Sequence, residues 1–529
     1  MALALSLGLL SLAGLLVYHA VVWLLSTRRP PNFPPGPPSI LGLGNLHNFP
    51  RENPFLTAAE WAKQYGPITG LKFGPTNVIV INDAKLVYEF IVKRGAIFSG
   101  RPKRHVAQEH VLPEGRDMYA IFLSNDYSRR LRTITKEFLA GSGLGQLAPM
   151  HQASATGLVY DLLQSGDKWR DHIASWYVAV TAPVAMISGA QLHDLGDNWV
   201  RDYNKVQHEF EDLLDPATAP PIDIFPILQW VPAMFAEWKR KAPVTRKALL
   251  KSYGALMAHA KKPHNNTIQP LATKLLQRAA DPKTPPEGRF SEQEITMLMG
   301  GTIDAAFDSS VVVFQTLMLA LAAHPEVQRA AQAEIDGVFA SETELPERID
   351  LDRLPYVNAC MTESLRWRPV STLGLPRETV ADEQMLGYNI PKGTMVMINM
   401  WLMNMDPDFY DEPDRFMPER YMRDPVGAKA GVSQLGRKAV YTFGAGRREC
   451  PGKDFVYQSM CMAVSQILWA FDVVPTTKLD LSPSTGFTSS VVLKPNHFGI
   501  KFVPRRPDLG AVVAEQKRKA DVLLRQILA

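Results

Sequence analysis

Most of the chain has apolar positions at helical spacing, and the first apolar run is the longest without a charge. Ala4 to Leu25 is 22 residues long and would extend about 33 Å as a helix, at about 1.5 Å per residue. The run predicts one membrane-spanning helix. Because Arg28 and Arg29 follow it and no basic residue precedes it, the rest of the chain should be cytosolic. A cleaved signal peptide is the alternative.

Proline dominates the segment after this run, from Pro30 to Pro38, and favours a stiff extended connector. No long polar linker divides the rest of the sequence. We therefore expect an anchor over residues 1–27, a proline-rich hinge over 28–50 and one catalytic domain over 51–529.

The remaining pattern is mainly helical, with a few short strands. Helices are predicted over 53–64, over most of 85–280, and over 292–321, 354–367 and 451–471. The strands 68–73 and 77–81 should form a hairpin around Gly74-Pro75, and 385–390 and 394–398 a second hairpin around Gly393. The 292–321 segment is apolar nearly all round, so it should run buried through the centre and end at His324-Pro325.

Composition excludes some classes of protein. Charge is nearly balanced, with 57 basic and 53 acidic residues, which gives no reason to expect nucleic acid as a partner. Three cysteines in 529 residues do not make a disulfide framework and fit a reducing compartment. Cys360 and Cys461 lie in apolar helical contexts and are predicted to be core thiols.

The third cysteine lies in a glycine-rich stretch, Phe443-Gly444-Ala-Gly446-Arg-Arg448-Glu-Cys450-Pro-Gly452. Small residues let a backbone pass close to a bulky group. The helix predicted after Cys450, with Pro451 in its first turn, would point its positive end at the sulfur. The loop thus suits a thiolate that binds a metal; a surface loop with a buried free cysteine is the alternative.

The pattern F-x-x-G-x-R-x-C-x-G resembles the haem-binding signature of the cytochrome P450 family. The resemblance implies the P450 fold, mainly α with small β-sheets, and haem b with Cys450 as its axial thiolate and metal ligand. Arg448 would meet a haem propionate, Phe443 would shield the sulfur from water, and Gly444 would give the backbone room.

Two further arginines are expected partners of the propionates. Ser128-Arg129-Arg-Leu-Arg132 falls where the family usually has Trp-Arg-x-x-Arg, so Arg132 would reach a propionate although Ser128 replaces the tryptophan. A solvated basic helix face is the alternative. Arg377 stands where relatives place another basic partner, and a plain surface arginine remains open.

The family resemblance also assigns proton handling to Asp308 and Ser309 in the central helix. The stretch Ala305-Ala306-Phe307-Asp308-Ser309-Ser310 occupies the place of Ala/Gly-Gly-x-Asp/Glu-Thr-Thr/Ser. Serine keeps the hydroxyl, whereas Ala306 adds a methyl group to the oxygen-binding groove. An acid and an alcohol that are merely satisfied inside a buried helix are the alternative.

A structural network is implied as well. Glu363 and Arg366 lie three apart on one helical face, and Pro413-x-x-Phe416-x-Pro418-Glu-Arg420 matches the family segment that supplies a second arginine, Arg420.

The expected activity is that of a haem-thiolate monooxygenase that inserts one oxygen atom from O2 into a lipophilic organic substrate. The stretches Trp367-Arg-Pro-Val and Asn399-Met-Trp401 look like microsomal fungal members, so a tailoring step of secondary-metabolite biosynthesis is expected. Two alternatives stay open. One is a haem-thiolate isomerase or dehydratase needing no external electrons, and the other is a haem-binding protein without turnover.

Electrons must come from outside, since the sequence has no flavin or nicotinamide fingerprint. An NADPH-dependent flavoprotein reductase is the expected partner, and cytochrome b5 is a further candidate. The expected location is the endoplasmic reticulum membrane, single-pass. Six cations around the cysteine loop should attract the reductase: Arg129, Arg130, Lys136, Arg437, Lys438 and Lys453.

The substrate pocket should be walled by residues 105–114, 200–215, 301–309, 370–375 and 486–491. The first wall is polar and the others are largely apolar. Asn265-Asn-Thr267 is a formal glycosylation acceptor that a cytosolic location would leave unmodified.

Overall fold

A computed structural model describes residues 2–112, 123–176, 184–190, 195, 198–214, 220–262, 268–339, 344–346, 353–489 and 492–528. The Asn265 acceptor lies outside them, as do residues 113–114, 215 and 490–491 of the expected pocket walls. The α-helices are α1 Ala2–Ser26, α2 Pro54–Tyr65, α3 Ala84–Leu86, α4 Asp126–Leu139, α5 Gly141–Gln164, α6 Trp169–Trp176, α7 Trp199–Leu214, α8 Glu237–Ala260, α9 Leu271–Ala280, α10 Glu292–Ala323, α11 Pro325–Val338, α12 Pro355–Trp367, α13 Met400–Asn404, α14 Glu419–Arg423, α15 Lys453–Ala470 and α16 Leu509–Leu528. Turns of π-helix occur at Val87–Lys93, Val106–Val111 and Val184–Ser188.

The strands are short: β1 Ile68–Phe73, β2 Thr76–Ile81, β3 Arg377–Glu378, β4 Glu383–Met385, β5 Tyr388–Ile390, β6 Met395–Ile398, β7 Phe471–Pro475, β8 Phe487–Ser489, β9 Leu493–Pro495 and β10 Ile500–Pro504. The main sheet has the order β1-β2-β6-β3, and three two-stranded sheets pair β7 with β10, β4 with β5 and β8 with β9. The mainly α fold with small sheets is confirmed.

The first predicted hairpin is confirmed, since β1 and β2 pair antiparallel with Phe73 opposite Thr76. The second hairpin is wrong. Leu386 and Gly387 have positive φ angles of 53° and 82°, so the chain turns there and β4 pairs with β5. The strand predicted after Gly393 instead joins β2 in parallel. This pairing joins segments far apart in sequence, which a local pattern does not record.

The central helix α10 behaves as its all-round apolar pattern predicts. Ser291 caps its first turn in a capping box with Glu294, and the helix ends at His324, before Pro325 begins α11. Both α1 and α10 are long and apolar enough to cross a membrane. However, 78% of the apolar window in α10 is buried against protein, whereas 0% of that in α1 is. Burial identifies α10 as a core helix.

Two helices near the C-terminus differ from expectation. Helix α15 begins at Lys453 with Gly452 as its N-cap, so Pro451 precedes the helix instead of lying in its first turn. The sequence reading missed α16, which packs along α5. Leu509 and Val513 are buried, and so is Ala520 on the same helix.

The network of Glu363, Arg366 and Arg420 forms as expected. Glu363 accepts hydrogen bonds from Arg366 Nε at 2.7 Å and from Arg420 Nε at 3.1 Å, and all three side chains are at most 2% exposed. Burial alone would lower the pKa of Arg366, but the charge and hydrogen bonds of Glu363 raise it overall. The carboxylate therefore compensates two buried cations.

We predict that Glu363→Gln lowers the free energy of unfolding by about 3 to 5 kcal/mol, because two buried guanidinium groups lose their counterion. The midpoint of urea unfolding of the detergent-solubilised protein measures this loss. The control is Glu412→Gln, which removes an exposed pair with Arg415 and should cost at most about 1 kcal/mol. Equal effects of the two substitutions would contradict the network's role.

Candidate haem site

The loop around Cys450 is closed by its own backbone. The N–H of Cys450 donates to the carbonyl of Phe443 at 2.8 Å, and the N–H of Gly444 donates to that of Tyr441 at 2.7 Å. Gly444 has φ +74° and Gly446 φ +61°, a region that favours glycine. A Cβ on Gly446 would also lie 2.4 Å from the carbonyl oxygen of Ile91, so this position excludes any larger residue.

The Cys450 side chain is exposed, but protein atoms around it desolvate the sulfur and raise its pKa. The backbone N–H of Gly452 and the charge of Arg132 act against burial and favour the thiolate. The other two thiols, Cys360 and Cys461, are buried, which fits their expected role in the core. Phe443 is half-buried, with its ring 6.0 Å from that of Tyr457.

The three arginines predicted to meet the haem converge on this loop. Arg132 donates to the carbonyl of Glu449 at 2.8 Å, and Arg377 donates to that of Ala445 at 2.7 Å. Arg448 donates to the carbonyls of Ser99 and Leu123 and to the hydroxyl of Ser124. Arg377 is only 3% exposed, which rules out a plain surface arginine.

A fourth arginine, Arg101, was missed by the sequence reading. It donates to the carbonyls of Leu375 and Pro376. Burial lowers its pKa well below the usual value, and the charges of Arg448, Arg377 and Arg132 lower it further. Burial and mutual repulsion also lower the pKa of Arg377 and of Arg448 to about 10. Arg101 follows Ser99-Gly100 in the sequence. That stretch matches no motif, so nothing in the sequence indicated that Arg101 would lie beside the cysteine loop.

This cluster suits an anionic group. The hydrogen bonds described for Arg132, Arg377 and Arg448 go to carbonyls and a hydroxyl, and Nη1 of Arg377 is buried without a partner. A buried guanidinium that lacks a counterion is costly. The described residues contain no group of three or more His, Cys, Asp or Glu that could hold a metal. The carboxylates of haem match the charge of the arginines.

The two predicted proton carriers lie on α10. The Ser309 hydroxyl donates to the carbonyl of Ala305 at 2.8 Å, one turn earlier, and its lone pairs remain able to accept. Asp308 is 3.8 Å from Nζ of Lys494, and its side chain is 15% exposed. Ser309 is thus satisfied within its helix, whereas Asp308 reaches another element.

The expected pocket walls come from the π-turn Val106–Val111, helix α7, the middle of α10, the loop 370–375 and β8. The α7 wall is not uniformly apolar, since it carries His208 and Glu211. The sequence reading also missed a hydrogen-bonded junction there. Tyr203 of α7 donates to one oxygen of Asp304 in α10, and Tyr253 of α8 donates to the other at 2.5 Å.

Comparison with known proteins identifies this architecture. The family model described as Cytochrome P450 matches residues 34–502. The chain therefore belongs to the cytochrome P450 family. A solved zebrafish P450, in a structure with abiraterone, superposes with a TM-score of 0.68 at 22% identity and covers 86% of this chain and 100% of its own. At that identity the likeness supports the fold alone.

Curated relatives are fungal P450 monooxygenases. One from a Penicillium species is 31% identical over 92% of this chain and 90% of its own length. One from Armillaria gallica is 33% identical over 88% of both chains. The predicted P450 monooxygenase activity and the resemblance to fungal members are confirmed, and the isomerase alternative is not favoured. A P450 of this class carries a haem with a thiolate ligand and takes electrons from a redox partner to oxidise lipophilic substrates.

We predict that Arg377→Leu weakens haem retention about tenfold or more, because a charge-assisted contact of about 1.5 to 3 kcal/mol is lost. Haem content per protein after gel filtration measures this. Arg377→Lys, which keeps the charge, should restore part of the retention. Arg129→Leu, at a side chain 73% exposed, is the control. Full haem content in Arg377→Leu would contradict the assignment.

Proposed function

We propose that Cys450 supplies the axial thiolate of haem b and that Arg132, Arg377, Arg448 and Arg101 hold its propionates. The observation that carries this proposal is the buried, unpartnered Nη1 of Arg377 among arginines grouped beside the cysteine loop. Haem with a thiolate ligand activates dioxygen, since the sulfur donates electron density that favours O–O cleavage.

The residues around the sulfur set its environment. Gly452 N–H and the Arg132 guanidinium stabilise negative charge on the sulfur, against the desolvation that raises its pKa. The ring of Phe443 lies 6.0 Å from that of Tyr457. Gly446 lets the backbone approach Ile91 closely, and Gly444 provides a positive φ angle. One anionic ligand and four cations would thus be available to the haem.

Asp308 and Ser309 would deliver protons to bound oxygen. The carboxylate of Asp308 can accept a proton and release it, and the Ser309 hydroxyl can accept from one donor while donating to another. Their places on α10 support these roles, although Ser309 must leave the Ala305 carbonyl to donate elsewhere. The added methyl group of Ala306 narrows the groove beside them.

The reaction we propose is a tailoring step of fungal secondary metabolism on a lipophilic compound, which the fungal P450 monooxygenases among the relatives support. Comparing metabolites of fungal cells with and without this chain would identify the substrate. With 18O2, NADPH and reductase, we predict one labelled atom in the product and one in water. Unlabelled product formed without NADPH would instead support the isomerase or dehydratase.

The redox partner we propose is an NADPH-dependent flavoprotein reductase, with cytochrome b5 as a further donor, docked over the cysteine loop. The six cations expected to attract the reductase are not equally free to pair with it, because some of them already pair with acidic residues. Arg437 pairs with Asp406 at 2.5 Å and Lys438 pairs with Glu449 at 2.6 Å. Arg447, which the sequence reading omitted, is exposed on the loop itself.

We predict that reversing Arg129, Lys136 and Lys453 to glutamate slows the first reduction about tenfold or more at low ionic strength, because steering by charge is lost. Stopped-flow reduction of the haem by reductase measures this. The control reverses three exposed cations on α7 and α8, Arg201, Lys205 and Lys251. An unchanged rate in the first variant would refute this docking surface.

The location we propose is the endoplasmic reticulum membrane, with residues 1–27 as the anchor, 28–50 as the hinge and 51–529 as the cytosolic catalytic domain. The Trp23 ring of α1 lies 5.3 Å from that of Phe225. Next to Phe225, the side chains of Ile227, Trp230 and Phe235 are at least 75% exposed. A shared apolar surface of this kind suits a membrane. The hinge packs on the domain, because Gly70 N–H donates to the Pro35 carbonyl at 2.7 Å.

A further inference from the structure

Four titratable side chains from three elements form one electrostatic group that includes Asp308. In α7, Nδ1 of His208 is 3.7 Å from Oε2 of Glu211. From β9, Lys494 approaches Asp308 at 3.8 Å. The exposed fraction of the side chain falls from 59% at His208 to 32% at Glu211 and 15% at Asp308. Of these three side chains, those closer to the central helix are thus less accessible to solvent.

These groups respond to one another's charge. Burial raises the pKa of Glu211, and so does the negative charge of Asp308, whereas His208 and Lys494 lower it. The interaction with Glu211, 3.7 Å away, and the charge of Asp308 raise the pKa of His208, against burial and Lys494. The charged groups that face the pair are therefore Asp308 from α10 and Lys494 from β9. Both pKa values are thus raised, which favours the protonated form of each group.

The spacing between α7 and α10 is fixed nearby. Tyr203, two turns before Glu211 in α7, donates to Asp304, one turn before Asp308 in α10, and its ring packs 6.1 Å from that of Phe307. Tyr203 is fully buried. This junction holds α7 and α10 together one to two turns from the residues of the charged group.

We propose that His208 and Glu211 are the outer members of a proton path that supplies Asp308. The inference rests on the proposed role of Asp308 as a proton carrier. His208 takes a proton from solvent water and Glu211 passes it to Asp308, each group releasing one proton for each that it accepts. Only N–H and O–H bonds form and break, and no electrons move.

The first test needs no substrate. NMR titration of histidine-labelled holoenzyme should show His208 titrating above the usual range, and Glu211→Gln should shift it down, as should Asp308→Asn. The matched control is Glu209→Gln on the same helix, which should leave the titration of His208 unchanged. A His208 titration that ignores both substitutions would overturn the inference.

The second test is turnover of the reductase-supported holoenzyme with the substrate found by metabolite comparison. Glu211→Gln and His208→Gln should each slow product formation about threefold or more and raise the solvent deuterium isotope effect, while Glu209→Gln does neither. The wild-type rate should fall as pH rises through the raised pKa of His208, since the donor then loses its proton, and His208→Gln should abolish that fall.

The outcomes distinguish a failure of the proton path through α7 from a failure of the proposed role of Asp308. If Asp308→Asn slows turnover but the α7 variants keep the wild-type rate, isotope effect and pH profile, protons reach Asp308 by another route and the inference is wrong. If Asp308→Asn itself keeps the wild-type rate, the proposed role of Asp308 fails, and the path fails with it.

Discussion

The structure depends on positive charge held next to one sulfur, that of Cys450, by arginines that the protein largely removes from water. Arg101, Arg377 and Arg448 have pKa values lowered first by burial and then by neighbouring guanidinium groups. Such a cluster is unfavourable unless an anionic group compensates it. Desolvation, which lowers the pKa of the arginines, also raises the pKa of Cys450. Haem would compensate both groups, since its propionates would pair with the arginines and its iron would bind the sulfur.

The contrast with the second buried charge network clarifies this point. Arg366 and Arg420 are as deeply buried, yet they share the carboxylate of Glu363 and need nothing from outside the chain. A network that supplies its own counterion is structural, whereas the hydrogen bonds described for Arg132, Arg377 and Arg448 go to carbonyls and a hydroxyl. The difference separates residues that hold the fold from residues that suit a ligand.

Local signals predicted the parts of the fold that local physics controls. The capping box at Ser291 and the proline after His324 bound α10 where its apolar pattern ends, and Gly74-Pro75 turns the first hairpin. The parallel pairing of β2 with β6 joins segments distant in sequence. No local residue pattern predicts such a pairing, and the prediction of the second hairpin was wrong for that reason. Helix α16 was missed because its apolar face is interrupted by a basic run, Lys517-Arg518-Lys519.

Cys450 and Arg448 were predicted as site residues because they belong to a recognisable sequence motif. Residues that come near the site only through the fold were missed. Arg101 and the group of His208, Glu211 and Lys494 come from separate elements, and the roles proposed for them depend on the fold that brings these elements together. Ala306 and Ser309 differ from the glycine and threonine that the family usually has at these positions, and these local differences were visible in the sequence.

The central claim is that the sulfur of Cys450 binds the haem iron, and Cys450→Ser tests it most directly. The reduced carbon monoxide spectrum should lose the red-shifted absorption of thiolate-ligated haem, since a serine oxygen is a weaker electron donor. The control is Cys461→Ser, at a buried thiol that donates to Asn358 at 3.1 Å, and any haem that it binds should keep the thiolate spectrum. A thiolate-type spectrum in Cys450→Ser would contradict the account.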